Sequence, residues 1–578
     1  MPGQTTTARD RGVHWILAAV LIATLYALTI AVTGGFNFQI AGVRVRSHSW
    51  VRPALLALAG VAMLAFLIRA RIPALFARLS RVLESAAVAR WPTWLTVAAT
   101  AWALAAGVGF GTFASGGADS YGYVAQARLL AHGHLTDTIP SSADYTWPNV
   151  ESTLTPLGFR PGRTRGVIAP TYPPGFPLLL APLAACSERL IYLLVPVFGA
   201  LLIWITYRIG ATVGDPPAGA MAAALLSVSP TFLYQVVQPM SDVPAAACWL
   251  GALLLAVRGT SYAAAGSGAI CSLAILIRPN LAPLAGLIAL TAIFSDPALR
   301  LRRAFLFAAA LVPGLVTLGW IQNVRYGSPL ASGYGTLSDG FSMRHLVPNL
   351  ARYPRWLTET HTWFIWLSVA APLWIARRAR KPLLAWSAVA LAAATWAAYL
   401  PYIYFHPNEW FYTRFLLAAI AVMLLFASAV ALWPLRRLPE AWRAPATLLL
   451  FGSLLVMLVG AAQTNGAFDI RNQERKYPLA GAFVRDRLPA AAFVLSGQHS
   501  GSIRYYANRP TLRWDLLAPT RLDDVLATFR AQGYEPFLVV DAGEYEDFRE
   551  KFGQTGQRAV QQLTPLAVLG DTRVFAFR

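Results

Sequence analysis

The segment GGADSYGYVAQARLLAHGHL, which follows an apolar stretch, carries the first acid that could do chemistry. Its two glycines permit a turn, and Asp119 then stands where a helix would begin. Tyr123 and Gln126 follow at i+4 and i+7 on the same helical face, and Arg128 lies on the opposite face. A carboxylate placed here can meet a substrate that enters from the lipid, or it can simply cap the helix. Both interpretations stay open.

Downstream, the segment GFRPGRTRGVIAPTYPPGFPLLLAP combines arginines with a proline-rich stretch. Arg160, Arg163 and Arg165 form a basic cluster, and a guanidinium matches phosphate oxygens through paired hydrogen bonds. A lipid phosphate is therefore one candidate partner for Arg160, and a solvated loop is the alternative. Tyr172 precedes two prolines that favour a rigid, non-helical approach to the next apolar stretch.

Two further charged residues lie between apolar runs. Asp242, in QPMSDVPAAACWL, either caps the following helix or faces the same cavity as Asp119. Two such acids can position a substrate or bind a divalent metal ion, and whether a metal binds stays open. Arg278, in LAILIRPNLAP, costs about 2.5–3.5 kcal/mol at the centre of a membrane helix, so it usually faces a cavity or a partner. It is a candidate for binding a phosphate, with snorkelling to the interface as the alternative.

Other polar residues give weaker signals. His499 and Arg504 lie in GQHSGSIRYYANRP, where a lone histidine is more often structural than catalytic. The aromatic residues 410–412 are more often an interfacial belt than a platform for a sugar. The remaining polar residues on the same predicted side are Arg325, Tyr326, Tyr334, His406, Glu409 and Arg414.

The amino-acid composition indicates whether these residues belong to a soluble protein or to a membrane protein. Hydrophobic residues make up 56% of the 578 residues, charged residues 13%, and mean hydropathy is +0.49. Soluble domains carry about 25% charged residues, so a polytopic membrane protein is predicted. The net charge of +21 comes from short basic runs between apolar segments, at 69–71, 300–303, 377–381 and 436–437. This pattern is typical of cytoplasmic loops and argues against nucleic acid as a partner.

The apolar runs predict about 13 membrane-spanning helices, the first at 14–33. With a cytoplasmic N-terminus, every basic run falls on one side of the membrane. The chain then divides into a membrane part at 1–465, with a large extracytoplasmic loop at 113–188, and an extracytoplasmic region at 466–578. In the latter, a helix at 478–488 and strands at 493–495 and 537–540 predict a small α/β domain.

Four segments together resemble membrane glycosyltransferases of the GT-C superfamily, which include protein O-mannosyltransferases and the bacterial aminoarabinose and Rgt-type transferases. They are ADSYGYVAQARLLAHG, TYPPGFPLLLAPL, QPMSDVPAAACWLGALLL and LAILIRPNLAPLA, in this order. The resemblance covers most of the chain. It implies a GT-C fold in the plasma (inner) membrane and transfer of a hexose or pentose from a polyprenyl-phosphate carrier to an extracytoplasmic acceptor.

The resemblance also implies roles for the residues. Asp119 would be the general base of an inverting displacement or would help to position the acceptor, and Arg278, with Arg160, would stabilise the leaving phosphate. Many relatives carry two adjacent acids where this chain has Asp119 followed by Ser120, so metal binding by Asp119 and Asp242 is left open. The substrate-binding residues expected from residues and resemblance together are Tyr123, Arg160, Tyr172, Asp242, Arg278 and His499.

Other functions remain alternatives at this point. A flippase or transporter of a lipid-linked sugar would also be polytopic and cationic, but it would show internal repeats, and the sequence has no clear one. An O-antigen polymerase or ligase shares the substrate class, but its large outside loop usually lies late in the chain. The expected partners are the polyprenyl-phosphate sugar donor, membrane lipids and an acceptor that can be a lipid, a polysaccharide or a protein.

Overall fold

The computed structural model describes residues 16, 18–20, 22–24, 26, 36–40, 43–47, 51–68, 90–139, 145–404 and 409–577. Most of the predicted first span at 14–33, the basic run at 69–71 and His406 lie outside the described residues.

Most of the described chain between 51 and 464 is a bundle of apolar helices, as expected for a membrane protein. Five helices are long and apolar enough to cross a membrane: Leu190–Val213, Pro297–Tyr326, Pro382–Tyr399, Trp410–Leu435 and Glu440–Thr464. A bent pair, Pro216–Ser227 and Pro230–Val236, makes a sixth if it is one span. Because four other apolar helices have only 10–17 residues, fewer than the roughly 20 that a span needs, the count of 13 stays a prediction. Those four are Gly175–Cys186, Asp242–Ala256, Ser261–Ile277 and Pro283–Phe294; the other helices of this part are Val51–Ile68, Trp91–Gly109, Leu346–His361 and Ala371–Arg378.

Burial separates the centre of the bundle from its rim. Helix Trp410–Leu435 is the most apolar of the five, and 83% of its most apolar stretch is buried against other helices. Helix Pro297–Tyr326 is also apolar, but only 22% of its most apolar stretch is buried. A helix that is apolar all round and buried belongs to a core, whereas an exposed apolar helix needs lipid as its solvent.

One end of the bundle is held by arginines from the basic runs. Arg303 is fully buried and donates to the backbone carbonyls of Ala256, Arg258 and Ala292, which end two neighbouring helices. Arg436 pairs with the buried Asp215, with a shortest contact of 2.5 Å. These arginines therefore complete helix ends in addition to following the charge pattern of the loops.

The loop at 113–188 lies at the other end of the bundle and is built around one helix. This first-loop helix, Asp119–Ala131, packs closely on helix Gly175–Cys186. The part of the chain that connects these two helices forms a small antiparallel sheet. Its strands lie in the order Asp137–Thr138, Val167–Pro170 and Phe159–Pro161.

The C-terminal region, residues 466–577 of the described chain, contains a five-stranded mixed sheet. Its strands lie in the order Thr511–Leu512, Ala492–Leu495, Glu535–Asp541, Thr572–Phe577 and Leu563–Leu569. The first three are parallel and the last two antiparallel to their neighbours. The predicted helix and strands coincide with observed elements, whereas independent folding of this region as a domain stays a prediction. Its helices are Ile470–Glu474, Lys476–Arg487, Ser500–Ala507, Leu522–Ala531 and Ala542–Gly553.

The C-terminal region packs directly on the first loop. The backbone N–H of Ser115 donates to the Tyr506 hydroxyl at 2.8 Å, and that of Leu157 donates to Ser500 Oγ at 3.1 Å. Side chains of both regions form one hydrophobic cluster, in which Tyr121 contacts Tyr505 edge to face. The two regions therefore lie on the same side of the bundle.

Candidate functional site

Asp119 is the first residue of the first-loop helix but does not cap it. The N-cap position is Ala118, and the Asp119 carboxylate accepts no capping hydrogen bond. Instead Oδ1 accepts from the Tyr172 hydroxyl at 2.5 Å, and Oδ2 accepts from Arg414 Nη2 at 3.0 Å. The side chain remains 33% exposed. The interpretation of Asp119 as a helix cap alone is therefore wrong, and its carboxylate is available to a molecule from outside.

A glycine brings Tyr172 onto the first-loop helix. A Cβ at Gly122 would lie only 2.4 Å from the Tyr172 ring, so only glycine permits this approach. Tyr123, on the same helix, packs on Tyr172 with ring centroids 4.7 Å apart and hydrogen-bonds Ser241 at 2.8 Å. Burial, with the nearby Asp119 carboxylate, raises the pKa of Tyr172 well above its ordinary value. The Tyr172 hydroxyl therefore stays protonated and donates to Asp119.

Proline ends the helix that carries Arg278. Because the residue before a proline is driven out of the helical conformation, helix Ser261–Ile277 stops and Arg278 takes an extended backbone, φ −141° and ψ 84°. Its Nη2 donates to Asp242 Oδ1 at 2.5 Å, and its Nη1 donates to the Tyr399 hydroxyl at 3.0 Å. The Asp242 side chain is 1% exposed and the Arg278 side chain 14%. Arg278 thus points into the protein and is not a snorkelling residue.

The two acid–arginine pairs meet at one aromatic ring. The guanidinium carbons of Arg278 and Arg414 each lie 5.0 Å from the centroid of the Phe415 ring. Asp119, Asp242, Arg278 and Arg414 are called the acid–arginine centre below. The Nε of Arg278 and that of Arg414 are buried, and among the described residues neither finds a hydrogen-bond acceptor. Leaving such a donor unpaired costs about 1–3 kcal/mol, so the two orphan N–H groups indicate an anion site.

The contacts of the two acids also bear on whether the centre could bind a divalent cation. Asp119 and Asp242 each face a guanidinium, at 3.0 and 2.5 Å, so both negative charges are already balanced by positive ones. Within the described ranges no group of three or more His, Cys, Asp or Glu side chains could hold a metal ion. The residues present do not fit a divalent metal site, and no step below uses one.

Arg160 lies one layer away from the centre. Its Nη1 donates to the backbone carbonyls of Ser332 and Gly333, at 3.0 and 2.8 Å. The following residue, Tyr334, packs edge to face on Tyr172. Arg160 therefore holds a loop that reaches the centre. Arg165, from the same basic cluster, faces Glu151 at 3.9 Å.

His499 belongs to a separate cluster inside the C-terminal region. It is fully buried, and its Nε2 lies 2.8 Å from Asp541 Oδ1 and 3.2 Å from Thr572 Oγ1. Lys476 Nζ donates to the other oxygen of Asp541 at 2.6 Å. Burial alone would raise the pKa of Asp541, but hydrogen bonds and charge from His499 and Lys476 outweigh it and hold that pKa far below its usual range. The cluster joins two strands and two helices of the region.

Five of the residues predicted from the sequence lie together in the structure, and two of the predicted residues do not. Asp119, Tyr123, Tyr172, Asp242 and Arg278 converge, whereas Arg160 and His499 make their contacts elsewhere. Arg414 and Tyr334 are members of the site that the sequence gives only as weaker signals, and Tyr399 and Phe415 are members that it does not single out. The available signal was an arginine directly beside a predicted apolar span.

Part of the chain that contains this site matches a known protein family. Residues 172–320 match the family described as dolichyl-phosphate-mannose-protein mannosyltransferase. This stretch is less than half of the chain, but it includes Tyr172, Asp242 and Arg278. A search of curated protein sequences finds no match.

Among solved structures, ArnT from Cupriavidus metallidurans bound to undecaprenyl phosphate is 14% identical, with a TM-score of 0.53 over 84% of this chain and 98% of that chain. The same protein in the apo state gives 14% identity and 0.52 over 85% and 99%. The Archaeoglobus fulgidus oligosaccharyltransferase tethered to an acceptor peptide gives 14% and 0.50 over 86% and 74%. The resemblance to GT-C superfamily glycosyltransferases that the sequence predicts is confirmed at the level of the fold.

Proposed function

We propose that this membrane protein with the GT-C fold is an inverting glycosyltransferase, which moves a sugar from a polyprenyl-phosphate carrier to an acceptor hydroxyl. One observation carries the proposal. A partly exposed carboxylate, Asp119, pairs with Arg414, which shares the Phe415 ring with Arg278, and among the described residues the buried Nε of each arginine finds no acceptor.

The arginines supply the site for the donor phosphate. Planar guanidinium groups bind phosphate oxygens through paired hydrogen bonds, and burial strengthens such charge-assisted bonds. Arg278 and Arg414 face one ring from 5.0 Å each, so the two guanidinium groups are close enough to act on the same phosphate. The ArnT structure from Cupriavidus metallidurans, which shares the fold, was bound to undecaprenyl phosphate, and this supports the same class of carrier.

The reaction is a single displacement at the anomeric carbon. Asp119 takes the proton of the acceptor hydroxyl, whose oxygen forms a bond to the anomeric carbon. The bond from that carbon to the phosphate oxygen breaks, and the electron pair leaves with the polyprenyl phosphate. Arg278 and Arg414 stabilise the charge that develops on the leaving oxygen, which is the term that usually contributes most to catalysis. Oxocarbenium-like character lowers the demand on the nucleophile.

During this step Arg414 can interact with two negative groups, the Asp119 carboxylate and the donor phosphate. In the structure it donates to Asp119 Oδ2. When a donor phosphate binds, its negative charge competes for the Arg414 guanidinium. Asp119 Oδ2 is then free to accept from the acceptor hydroxyl, while Oδ1 keeps its hydrogen bond from Tyr172.

The orientation in the membrane is part of the proposal. The first loop and the C-terminal region pack together at one end of the bundle, next to the acid–arginine centre. Arg303 and Arg436 lie at the other end. With basic residues on the cytoplasmic side, the centre opens to the extracytoplasmic side of the plasma membrane, and the N-terminus is cytoplasmic.

The test uses the purified full chain in lipid nanodiscs with a panel of radiolabelled polyprenyl-phosphate sugars. Release of polyprenyl phosphate is followed with and without candidate acceptors, for the wild type and for Asp119→Asn. We expect one donor to be consumed by the wild type and at least about 10³-fold less turnover in the variant.

Two results would contradict the proposal. Full turnover by Asp119→Asn would remove this residue from the chemistry. Movement of labelled lipid between leaflets without consumption of any donor would instead identify a transporter. Matched thermal unfolding of the two proteins guards against a variant that is simply misfolded.

A further inference from the structure

A second cavity lies on the far side of the first-loop helix from Asp119. Its volume is about 770 Å³, and it runs between that helix and the C-terminal region. Tyr121, Ala125 and Arg128 line it, spaced by four and three residues along one helical face. Asp119 projects from the opposite face, so the cavity and the acid–arginine centre are separated by about one helix diameter, roughly 10 Å. This cavity is called the arginine cleft below.

Three arginines give the arginine cleft its charge. Among the described lining residues, Arg128, Arg504 and Arg509 face one carboxylate, Asp137. Arg128 already pairs with Glu188 at 2.7 Å, and both side chains are about half exposed, at 41% and 56%. The lining is therefore cationic and partly open to solvent.

Within the described part of the chain, two of these arginines make only long hydrogen bonds. The contact of Arg504 with the Thr138 carbonyl is 3.5 Å long, and that of Arg509 with the Ala507 carbonyl is 3.4 Å. The Nε of Arg509 is buried and, among the described residues, finds no acceptor. Guanidinium groups held in place with free N–H donors are suited to a carboxylate, which accepts two parallel hydrogen bonds.

Aromatic rings form another part of the lining. Phe159, Phe493, Tyr505 and Tyr534 contribute to it, in addition to Tyr121. The apolar faces of sugar rings pack on aromatic side chains, and tyrosine hydroxyls can bond sugar hydroxyls at the rim. A lining of aromatic rings and arginines combines recognition of a sugar ring with recognition of an acid.

We propose that the arginine cleft is a distal subsite for an acidic oligosaccharide, which presents its end to Asp119 while acid-bearing sugars further along bind Arg504 and Arg509. This inference rests on the proposed function and narrows the acceptor to a carbohydrate that carries carboxylates. A short oligosaccharide is longer than the width of one helix, roughly 10 Å, which is the separation that the proposal requires.

The test measures binding without turnover, by calorimetry on the full chain in uncharged phosphatidylcholine nanodiscs. One probe is a hexasaccharide of alternating glucuronic acid and N-acetylglucosamine, and the other is the neutral hexasaccharide of N-acetylglucosamine. We expect the acidic probe to bind at least about 10-fold more tightly. The double substitution Arg504→Gln with Arg509→Gln should weaken it at least about 10-fold, and Arg487→Gln, an arginine outside the cleft, should not.

A second variant covers a loss of folding. Arg504→Lys with Arg509→Lys keeps the charge and removes the planar fork, so it should give an intermediate loss. Equal binding of the two probes, or unchanged binding by the double glutamine variant, would overturn the subsite. Asp119→Asn separates the two proposals: we expect it to bind the acidic probe like the wild type, and a loss of transfer with binding retained leaves the subsite standing.

Discussion

The acid–arginine centre and the His499 cluster use similar side chains in opposite ways. In the centre, Asp119 is 33% exposed, and among the described residues the Nε groups of two arginines find no acceptor. In the cluster, Asp541 is 10% exposed, and its oxygens accept from a histidine, a lysine and the Thr572 hydroxyl, although His499 Nδ1 finds no partner among the described residues. One carboxylate has capacity left for a visiting molecule, and the other is saturated.

This difference separates a candidate for chemistry from a structural ion pair. A saturated buried pair fixes the packing of the elements that it joins, and removal of one partner leaves a charge unpaired in the interior. A centre with unpaired donors is less stable than it could be, which is typical of sites that bind ligands. The predictions below test this contrast, from the largest expected effect to the smallest.

The first prediction concerns the phosphate site. Arg278→Lys keeps a positive charge for Asp242 but removes the planar fork, so we expect turnover to fall about 10²-fold with little change in thermal stability. Polyprenyl-phosphate release and unfolding are measured on the same preparation. Arg355→Lys, in an exposed pair with Glu359, is the matched control. Equal turnover of the Arg278 variant and this control would exclude Arg278 from phosphate binding.

The second prediction concerns the orientation of the base. Tyr172→Phe removes the hydroxyl that donates to Asp119 at 2.5 Å and leaves the ring in place. We expect turnover at saturating donor to fall about 10-fold, because the carboxylate loses one of its two positioning contacts. Tyr262→Phe, at a residue that is 85% exposed, serves as the control. An effect on donor KM alone would contradict a positioning role.

The third prediction concerns the His499 cluster. His499→Gln removes the histidine contact with Asp541 and leaves part of a buried carboxylate unpaired. We therefore expect a loss of about 1–3 kcal/mol in the free energy of unfolding. Turnover per folded molecule should stay at the wild-type level. Reduced turnover in fully folded variant protein would instead return His499 to the substrate-binding residues predicted from the sequence.

The smallest effect is a pH dependence of stability. Burial, opposed by Lys476 and assisted by Asp541, raises the pKa of Glu474 to about 7. The folded state then holds this proton above the unfolded pKa, so stability contributed by Glu474 is present at low pH and is lost as pH rises through about 7. Glu474→Gln should flatten the decline between about pH 5 and pH 8, by on the order of 1–3 kcal/mol. A wild-type and variant that lose stability in parallel over this range would refute it.

The sequence predicts the parts of the centre whose context is unusual. Arg278 is recognisable because a proline breaks an apolar run directly after a charge, and Asp119 because glycines precede an acid outside an apolar run. Arg414 gives only a weak signal because its partner, Asp119, lies 295 positions away, and only the packed bundle brings the two together. His499 shows the reverse: a histidine in a polar segment looks available, but the fold buries it completely.

The number of spans is limited by a similar cause. Hydropathy finds apolar runs, but the helices Asp242–Ala256, Ser261–Ile277 and Pro283–Phe294 are shorter than a bilayer requires on its own. Their ends are set by Pro244, Pro279 and their neighbours, where the charged residues of the centre lie. The same breaks that shorten these helices therefore build the site.

The most direct test compares Asp119→Asn with Asp541→Asn, each measured for polyprenyl-phosphate release per folded molecule and for thermal unfolding. The account predicts that Asp119→Asn loses at least about 10³-fold in turnover and unfolds like the wild type. It predicts that Asp541→Asn unfolds at a lower temperature and keeps its turnover. Full turnover by Asp119→Asn would contradict the central claim that the exposed acid of the acid–arginine centre carries the chemistry.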